Sequence, residues 1–466
     1  MTNSYREERD SLGTITVPEG AYYGSQTERA KINFPISNLR FSDVFIEAIV
    51  YIKRAAAIVN AELGLLDKKR ASAIVAASDE ILEGKWREWF VVDVYQAGAG
   101  TSTNMNVNEV IANRAIEILG GKKADYTIVH PNDHVNMSQS TNDVIPTAIR
   151  IAAIQAADKL IKSVDDLAYG FFMKSKEFDM VIKSGRTHLV DATPIRLGQE
   201  FGAWDVSLRR HKDALRRATL TCLELGIGGT AVGTGLNSHP NYRSRMIHRL
   251  SEQFGYGFTP AESYFEAMQS LRPIVEVSNA VSSLAQDLIR IANDLRLMSS
   301  GPKTGFFEIS LPVVQAGSSI MPGKVNPSML EMLNMVCFQV LGCHQTIIFA
   351  AQAGQLELNV MMPVAAYNLF FEMEILDKAI AVVNSKCVRG ITANTERCQE
   401  YAEGSMSVIT VLSPLVGYQR AAEIVKKYLA SDKSIREFLI DEGIVSKEKV
   451  DEIFDFRKLT EPGIYK

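Results

Sequence analysis

Disulfide, membrane and nucleic-acid chemistry are all poorly represented in this chain. Only five cysteines occur in 466 residues, at positions 222, 337, 343, 387 and 398. They are sparse and odd in number, which excludes a disulfide framework and reads as reduced thiols in a cytoplasmic protein. Cys337 and Cys343 lack metal-ligand spacing, lie in an apolar helical run and read as core thiols. There is no basic block, and the net charge is −4, so no nucleic-acid partner is expected. No uninterrupted apolar run reaches membrane-spanning length. The stretch Met1 to Asp10 is polar and acidic, unlike a signal or transit peptide. Internal repeats and low-complexity tracts are missing. No His/Cys/Asp/Glu spacing matches a structural zinc site or a metalloprotease helix, so no metal is expected, and there is no G-x-S-x-G elbow.

What is present is helical. Hydrophobic residues make up 46% and charged residues 22%, enough for a large globular core. Apolar residues recur at three- and four-residue spacing near 43–65, 104–119, 144–178, 196–226, 262–299, 328–352 and 357–386. Several of these exceed 25 residues, which predicts an all-α fold of long bundled helices. Short extended pieces are expected only at Gly13 to Val17 and Thr127 to Val129. The pattern divides the chain into an N-terminal helical domain (1–140), a central long-helix domain (141–396) and a small C-terminal helical domain (397–466) with alternating charge.

Four polar clusters stand out where the helical pattern breaks. Thr101-Ser102-Thr103-Asn104 precedes the helix at 104–119, and Ser140-Thr141-Asn142-Asp143 precedes that at 144–178. Thr187-His188 lies shortly before a helix starting near Arg196. The loop Gly317-Ser318-Ser319-Ile320-Met321-Pro322-Gly323-Lys324-Val325-Asn326-Pro327 precedes that at 328–352. In this last loop Asn326-Pro327 reads as an N-cap followed by proline at the first helical position. Hydroxyls and amides at helix N-termini, with one lysine and one histidine, suit a small polyanion. Two decoys are set aside. Gly317 to Gly323-Lys324 has the wrong spacing for a phosphate-binding loop. Gly226-Ile227-Gly228-Gly229-Thr230-Ala231 fits a dinucleotide fingerprint, but a long helix, not a strand, is expected before it.

His188 follows Gly185-Arg186-Thr187 in a loop and is a candidate general base. His211 and His248 lie among arginines and read as solvated, while His130 and His134 flank turn chemistry at Pro131-Asn132-Asp133. Ser318 is a rival base, if backbone N–H groups, Lys324 and a helix N-terminus stabilise its alkoxide. The residues alone leave the two open. The clusters also raise a geometric point. A helix of about 30 residues spans about 45 Å. The cluster at 140–142 and Thr187-His188 sit at opposite ends of one such helix. A shared site would therefore draw them from different subunits of an oligomer.

The Ser318 loop matches G-S-x-x-M-x-x-K-x-N at every specified position, and by it the chain is identified as a member of the aspartase/fumarase superfamily. The resemblance spans the chain: Val17-Pro18-Glu19-Gly20-Ala21-Tyr22-Tyr23-Gly24, Asn33-Phe34-Pro35-Ile36-Ser37, Gly98-Ala99-Gly100-Thr101-Ser102, Ser140-Thr141-Asn142-Asp143, Gly185-Arg186-Thr187-His188 and Gln355-Leu356-Glu357-Leu358-Asn359-Val360-Met361. At Gly98–Ser102 and Ser140–Asp143 it is closer to aspartases than to class II fumarases, which typically show G-S-G-T-Q and S-S-N-D.

The resemblance implies a homotetramer with a central twenty-helix bundle, sites shared between three subunits, and no organic cofactor. The implied reaction is reversible anti-elimination of ammonia from L-aspartate to give fumarate through an aci-carboxylate. A fumarate hydratase, a lyase for a substituted aspartate and an inactive structural relative are the alternatives. By motif, Ser318 is the base. Thr101, Ser140, Thr141 and Ser319 hold the aci-carboxylate, and Lys324, Asn326 and Thr187 bind the α-carboxylate. Asn142 and His188, with Thr101 nearby, contact the amino group, and Gly317 and Gly323 let the loop close. Three stretches depart from the family pattern: Met361-Met362-Pro363, Ser328 to Leu333 and Gly301 to Phe306.

Overall fold

The computed structural model describes residues 4–464. The first three residues of the Met1–Asp10 stretch and the last two of the expected C-terminal domain lie outside that range. The chain divides into two compact units, one built from residues 1–161, 213–285 and 338–376, the other from 162–212, 286–337 and 377–466.

The first unit opens with an antiparallel pair, β1 (Tyr5–Asp10) and β2 (Gly13–Pro18). Helices α1 (Ser25–Asn33), α2 (Asp43–Glu62), α3 (Lys68–Leu82) and α4 (Thr101–Ile118) follow. On α2, Phe45, Ile49, Ile52 and Ala56 are buried at three- and four-residue spacing, the stripe that drives an amphipathic helix onto a core. Phe45 stacks on Phe370 at 5.5 Å between ring centroids. Helix α3 is anchored by Asp67, whose side chain accepts from Arg70 N. Helix α4 is unusual in burying amides and a carboxylate. Glu109 on it accepts from the backbone N–H groups of Gly24, Gln26 and Thr27. It thereby caps α1, whose own N-cap, Gly24, has no side chain to do so.

Helix α5 (Thr141–Glu177) has 37 residues, a length of about 55 Å at the α-helical rise. The second unit holds the antiparallel hairpin β3 (Ile182–Thr187) and β4 (Val190–Arg196), which leads into α6 (Leu197–Thr219). Phe171, Phe178, Phe201 and Trp204 interlock beside it, with ring centroids 4.8 to 5.9 Å apart. Further along the chain come α7 (Tyr242–Phe254), α8 (Tyr264–Gln269), α9 (Arg272–Met298), α10 (Ser328–Gln352), α11 (Met362–Lys386) and α12 (Thr395–Gly404). Residues 408–459 form a small apolar core of their own, with Val408, Leu412, Ile424, Phe438, Leu439 and Phe454 at its centre.

Several expectations are corrected. Residues 127–129 form turns and a bend, not a strand. The β3/β4 hairpin was not expected, because its residues are largely polar. His211 is not solvated: it is half-buried and lies 3.3 Å from Asp287. Helix α10 is apolar enough over 18 residues to cross a membrane by composition, although Asn334, Gln339 and His344 interrupt it. Within one chain only 33% of that window is buried, and Met335, Phe338 and Phe349 on it are exposed. All five cysteines are buried and unpaired.

Candidate active site

Thr101 is the first residue of α4, not part of a loop before it; Ser102, Thr103 and Asn104 lie inside the helix and are buried. Gly100 precedes it at φ +84°, a left-handed conformation that glycine adopts without steric cost. The turn is held from outside. Ala99 N donates to Val360 O at 2.9 Å, and a side chain at Gly98 would meet the Val360 side chain at 2.9 Å. Val360 is in turn fixed by its neighbour. The fully buried Asn359 donates to the carbonyls of Ala350 and Ala351 and accepts from Met361 N. The Gln355–Met361 motif thus supports the Thr101 turn.

The second cluster starts α5 one turn earlier than expected. Ser140 N donates to Asp143 Oδ1 at 2.9 Å, and Ser140 Oγ accepts from Asn142 N at 3.2 Å. This reciprocal cap is why the helix begins at Thr141. It also leaves the Ser140 hydroxyl proton to donate elsewhere. Asp143 is fully buried, and its Oδ2 accepts from Gly228 N and Thr230 N, both at 2.9 Å. The glycine-rich stretch 226–231 therefore wraps a carboxylate instead of a nucleotide. It follows a two-residue strand, Glu224–Leu225, and not a helix, and the next helix opens only at Tyr242. Burial pushes Asp143 up to about 6 against those backbone bonds and the nearby Lys53. Burial likewise pushes Lys53 down to about 7, with Asp143 opposing. Asp143 stands in the sequence only as the last member of its polar cluster, and Lys53 is not a sequence candidate. A lysine at a helix-core position, where an apolar residue fits the period, was the available signal for Lys53.

Thr187 and His188 are not near a helix N-terminus. They form the tip of the β3/β4 hairpin, and the helix begins only after β4. His188 and Leu189 have φ of 56° and 59°, the left-handed pair that a two-residue hairpin turn of the primed type requires. Holding non-glycine residues there costs roughly 1–3 kcal/mol each, so the hairpin must be well anchored. The anchor is a buried charge cluster at its base. Arg186 lies 2.7 Å from the fully buried Glu308, and Lys183 lies 2.9 Å from Glu308 and 3.0 Å from Glu200. Burial opposes the Lys183 charge, yet the two carboxylates raise its pKa. Arg186 also covers the rings of Phe306 and Tyr401 at 4.3 and 5.1 Å.

In the Ser318 loop, Ser318 Oγ accepts from Ile320 N at 3.3 Å and Met321 N at 3.0 Å. Two backbone dipoles thus already point at the oxygen that would carry charge as an alkoxide. Asn326 does not cap α10. Pro327 takes that position, its carbonyl accepting from Leu330 N and Glu331 N. The Asn326 side chain instead donates to Gly317 O and closes the neck of the loop. A side chain at Gly317 would overlap the Lys324 carbonyl, and Gly323 turns the chain at φ +83°. Ser319 and Lys324 are exposed within the chain, and Ser318 is half-buried.

Thr101, Ser140, Thr141 and Asn142 thus belong to the first unit, and Thr187, His188, Ser318, Ser319, Lys324 and Asn326 to the second. Within the first, Asn104 donates to Thr141 Oγ1 at 3.1 Å, which ties α4 to the start of α5.

A family model described as "Lyase" matches residues 13–342, and one described as "Fumarase C C-terminus" matches residues 408–461. The aspartate ammonia-lyase of Bacillus subtilis (strain 168) is 46% identical over 460 residues, covering 99% of this chain and 97% of the relative. The crystal structure of a fumarate lyase:delta crystallin from Brucella melitensis bound to cobalt superposes with a TM-score of 0.96 at 45% identity, over 98% of this chain and all of that one. A recombinant class II fumarase from Schistosoma mansoni gives a TM-score of 0.94 at 38% identity, over 98% of this chain and all of that one. The full-length identity, the fold and the matched loop agree: this chain belongs to the aspartase/fumarase superfamily of lyases.

Proposed function

We propose that the protein is an aspartate ammonia-lyase, releasing ammonia from L-aspartate to give fumarate, reversibly and without a cofactor. The observation that carries the chemistry is the pair of backbone N–H groups on Ser318 Oγ. Hydrogen bonds to an oxygen favour its charged form. With Lys324 in the same loop, they lower the cost of the alkoxide that a serine base needs.

Ser318 takes the proton from the carbon next to the β-carboxylate. The electron pair moves into that carboxylate, giving an aci-carboxylate. Hydroxyls of Thr101, Ser140, Thr141 and Ser319 donate to its oxygens, and Ser140 has its proton to give because its oxygen already accepts from Asn142 N. Collapse forms the carbon–carbon double bond and breaks the bond to nitrogen, which leaves with its electron pair as ammonia. Lys324, Asn326 and Thr187 hold the α-carboxylate. His188 and Asn142 face the amino group, with Thr101 nearby. Loop closure about Gly317 and Gly323 excludes water from the charged intermediate.

These clusters meet between copies of the chain in a homotetramer, with each site drawn from three subunits. Two features support that reading: the length of α5 and the exposed Met335, Phe338 and Phe349 on α10. The three-domain division and a cytoplasmic location belong to the same proposal. The C-terminal core supports the division, and five unpaired cysteines support the location.

The test follows fumarate by ultraviolet absorbance with L-aspartate or L-malate as substrate. Fumarate with ammonia from aspartate alone is the expected result. Fumarate from malate alone would overturn the proposal in favour of a hydratase.

A further inference from the structure

The Asn104–Thr141 contact has a direction, and the direction is set several residues away. Asn136 Nδ2 donates to the Gln139 carbonyl at 3.2 Å. Its Oδ1 is therefore its inward acceptor, and it receives Lys53 Nζ at 2.7 Å and the amides of Asn104 and Asn108 at 3.3 Å each. Gln139 is fixed likewise. Its Nε2 donates to the carbonyls of Val135 and Met137, so its Oε1 accepts from Lys53 at 3.0 Å. Even as a neutral amine lysine keeps two N–H groups, one for each acceptor beside it, and both acceptors are pinned by backbone carbonyls. Asn104 must then present its NH2 group to Asn136 Oδ1. That same NH2 group is the one facing Thr141 Oγ1 at 3.1 Å. Lys53, Asn104 and Asn108 are all fully buried, so water does not compete for these bonds.

We infer that Asn104, backed by Asn136 and Lys53, is a positioning residue that fixes the Thr141 hydroxyl as a hydrogen-bond donor toward the substrate carboxylate. With its oxygen occupied as an acceptor inside the protein, Thr141 has its proton left for the ligand. A hydroxyl free to rotate spends part of its time presenting lone pairs to an anion, which repels it. The device matters most when the carboxylate gains charge, so it acts on kcat more than on KM. The inference rests on the ammonia-lyase reading, in which Thr141 holds the aci-carboxylate.

The test reverses the polarity. Asn104→Asp replaces the donor facing Thr141 with an acceptor and turns the hydroxyl proton inward. Asn104→Leu removes the bond without reversing it. Fumarate release from aspartate should fall in kcat by about 10²–10³-fold for Asn104→Asp, the usual cost of losing one donor to a developing oxyanion, and by about 10-fold for Asn104→Leu. In a Thr141→Val background, which has no hydroxyl to orient, both should lie within about 3-fold of Thr141→Val itself, as an indirect effect requires. Lys53→Met is a second arm that adds no charge: kcat falls by about 10-fold in the wild-type background and not in the Thr141→Val background. Equal losses in the two backgrounds, in either arm, mean a merely structural role and overturn the inference. A wild type that makes no fumarate from aspartate overturns the ammonia-lyase reading and the inference with it. An active wild type with background-independent losses overturns the inference alone.

Discussion

Asn142 donates its side-chain amide to the Ala231 carbonyl at 2.8 Å, which leaves Oδ1, an acceptor, for a ligand. An acceptor suits an ammonium group and not a carboxylate. Asn142→Leu should therefore raise KM for aspartate by about 10-fold or more, since a hydrogen bond to a charged group contributes about 1.5–3 kcal/mol. Fumarate has no amino group, so its inhibition constant should move by less than about 3-fold. Steady-state kinetics with fumarate as product inhibitor checks both. Equal weakening of the two ligands would remove Asn142 from the amino-group site.

Ser318→Ala removes the oxygen on which two backbone N–H groups converge. Turnover should fall by at least about 10³-fold, in the range seen when a residue essential to proton transfer is lost. The loop is exposed within the chain, so the melting temperature should stay within about 2 °C. Retention of most activity would assign the base elsewhere, with His188 the first candidate.

Glu308→Ala leaves Arg186 and Lys183 in a buried position without their shared carboxylate. Breaking a buried pair in this way destabilises by roughly 3–5 kcal/mol. Denaturant unfolding at fixed protein concentration measures it. The His188 turn stands on that cluster, so activity should fall further than Ser319→Ala reduces it.

The pH dependence of stability has a sign that Lys53 sets between about 7 and 10.5. Burial depresses its pKa to about 7 from 10.5. In that window the unfolded chain binds the proton and the folded chain does not, so stability from this group rises with pH. It is fully present above 10.5 and lost as pH falls through 7. Asp143 titrates in a different window: its pKa is raised from 3.8 to about 6, so stability from it falls as pH rises between those values. The difference between wild type and Lys53→Met in denaturant midpoint, taken at pH 7 and pH 10, should grow at the higher pH. An unchanged difference would mean that Lys53 stays charged in the folded protein.

Phe338 is 57% exposed on α10 in the single chain. Phe338→Glu puts a charge on a face that an oligomer would bury, and sedimentation should show smaller species with little or no activity. An active monomer would contradict sites shared between subunits.

Much of the fold was legible because long helices repeat their apolar residues with a fixed period. The segments at 43–65, 328–352 and 357–386 match α2, α10 and α11 to within a few residues. The β3/β4 hairpin was not legible, because its strands carry Lys183, Arg186 and Asp191 in place of an alternating apolar face. The charges of Lys183 and Arg186 are compensated by Glu200 and Glu308, distant in sequence. Helix starts were misplaced for a local reason. Ser140 N donates to the Asp143 carboxylate and Ser140 Oγ accepts from Asn142 N, which pulls three cluster residues into α5.

By itself the sequence determined the helical class, the family and the residue types of the site, because these depend on period, composition and a contiguous loop motif. Tertiary structure alone decided the direction of the hydrogen bonds. Whether Thr141 gives or takes a proton, and whether Asn142 offers its amide or its oxygen, depends on Asn104, Lys53 and Ala231, which the chain brings alongside from other elements. Hydrogen-bond polarity follows from which groups meet in space, and side-chain identity leaves both directions open.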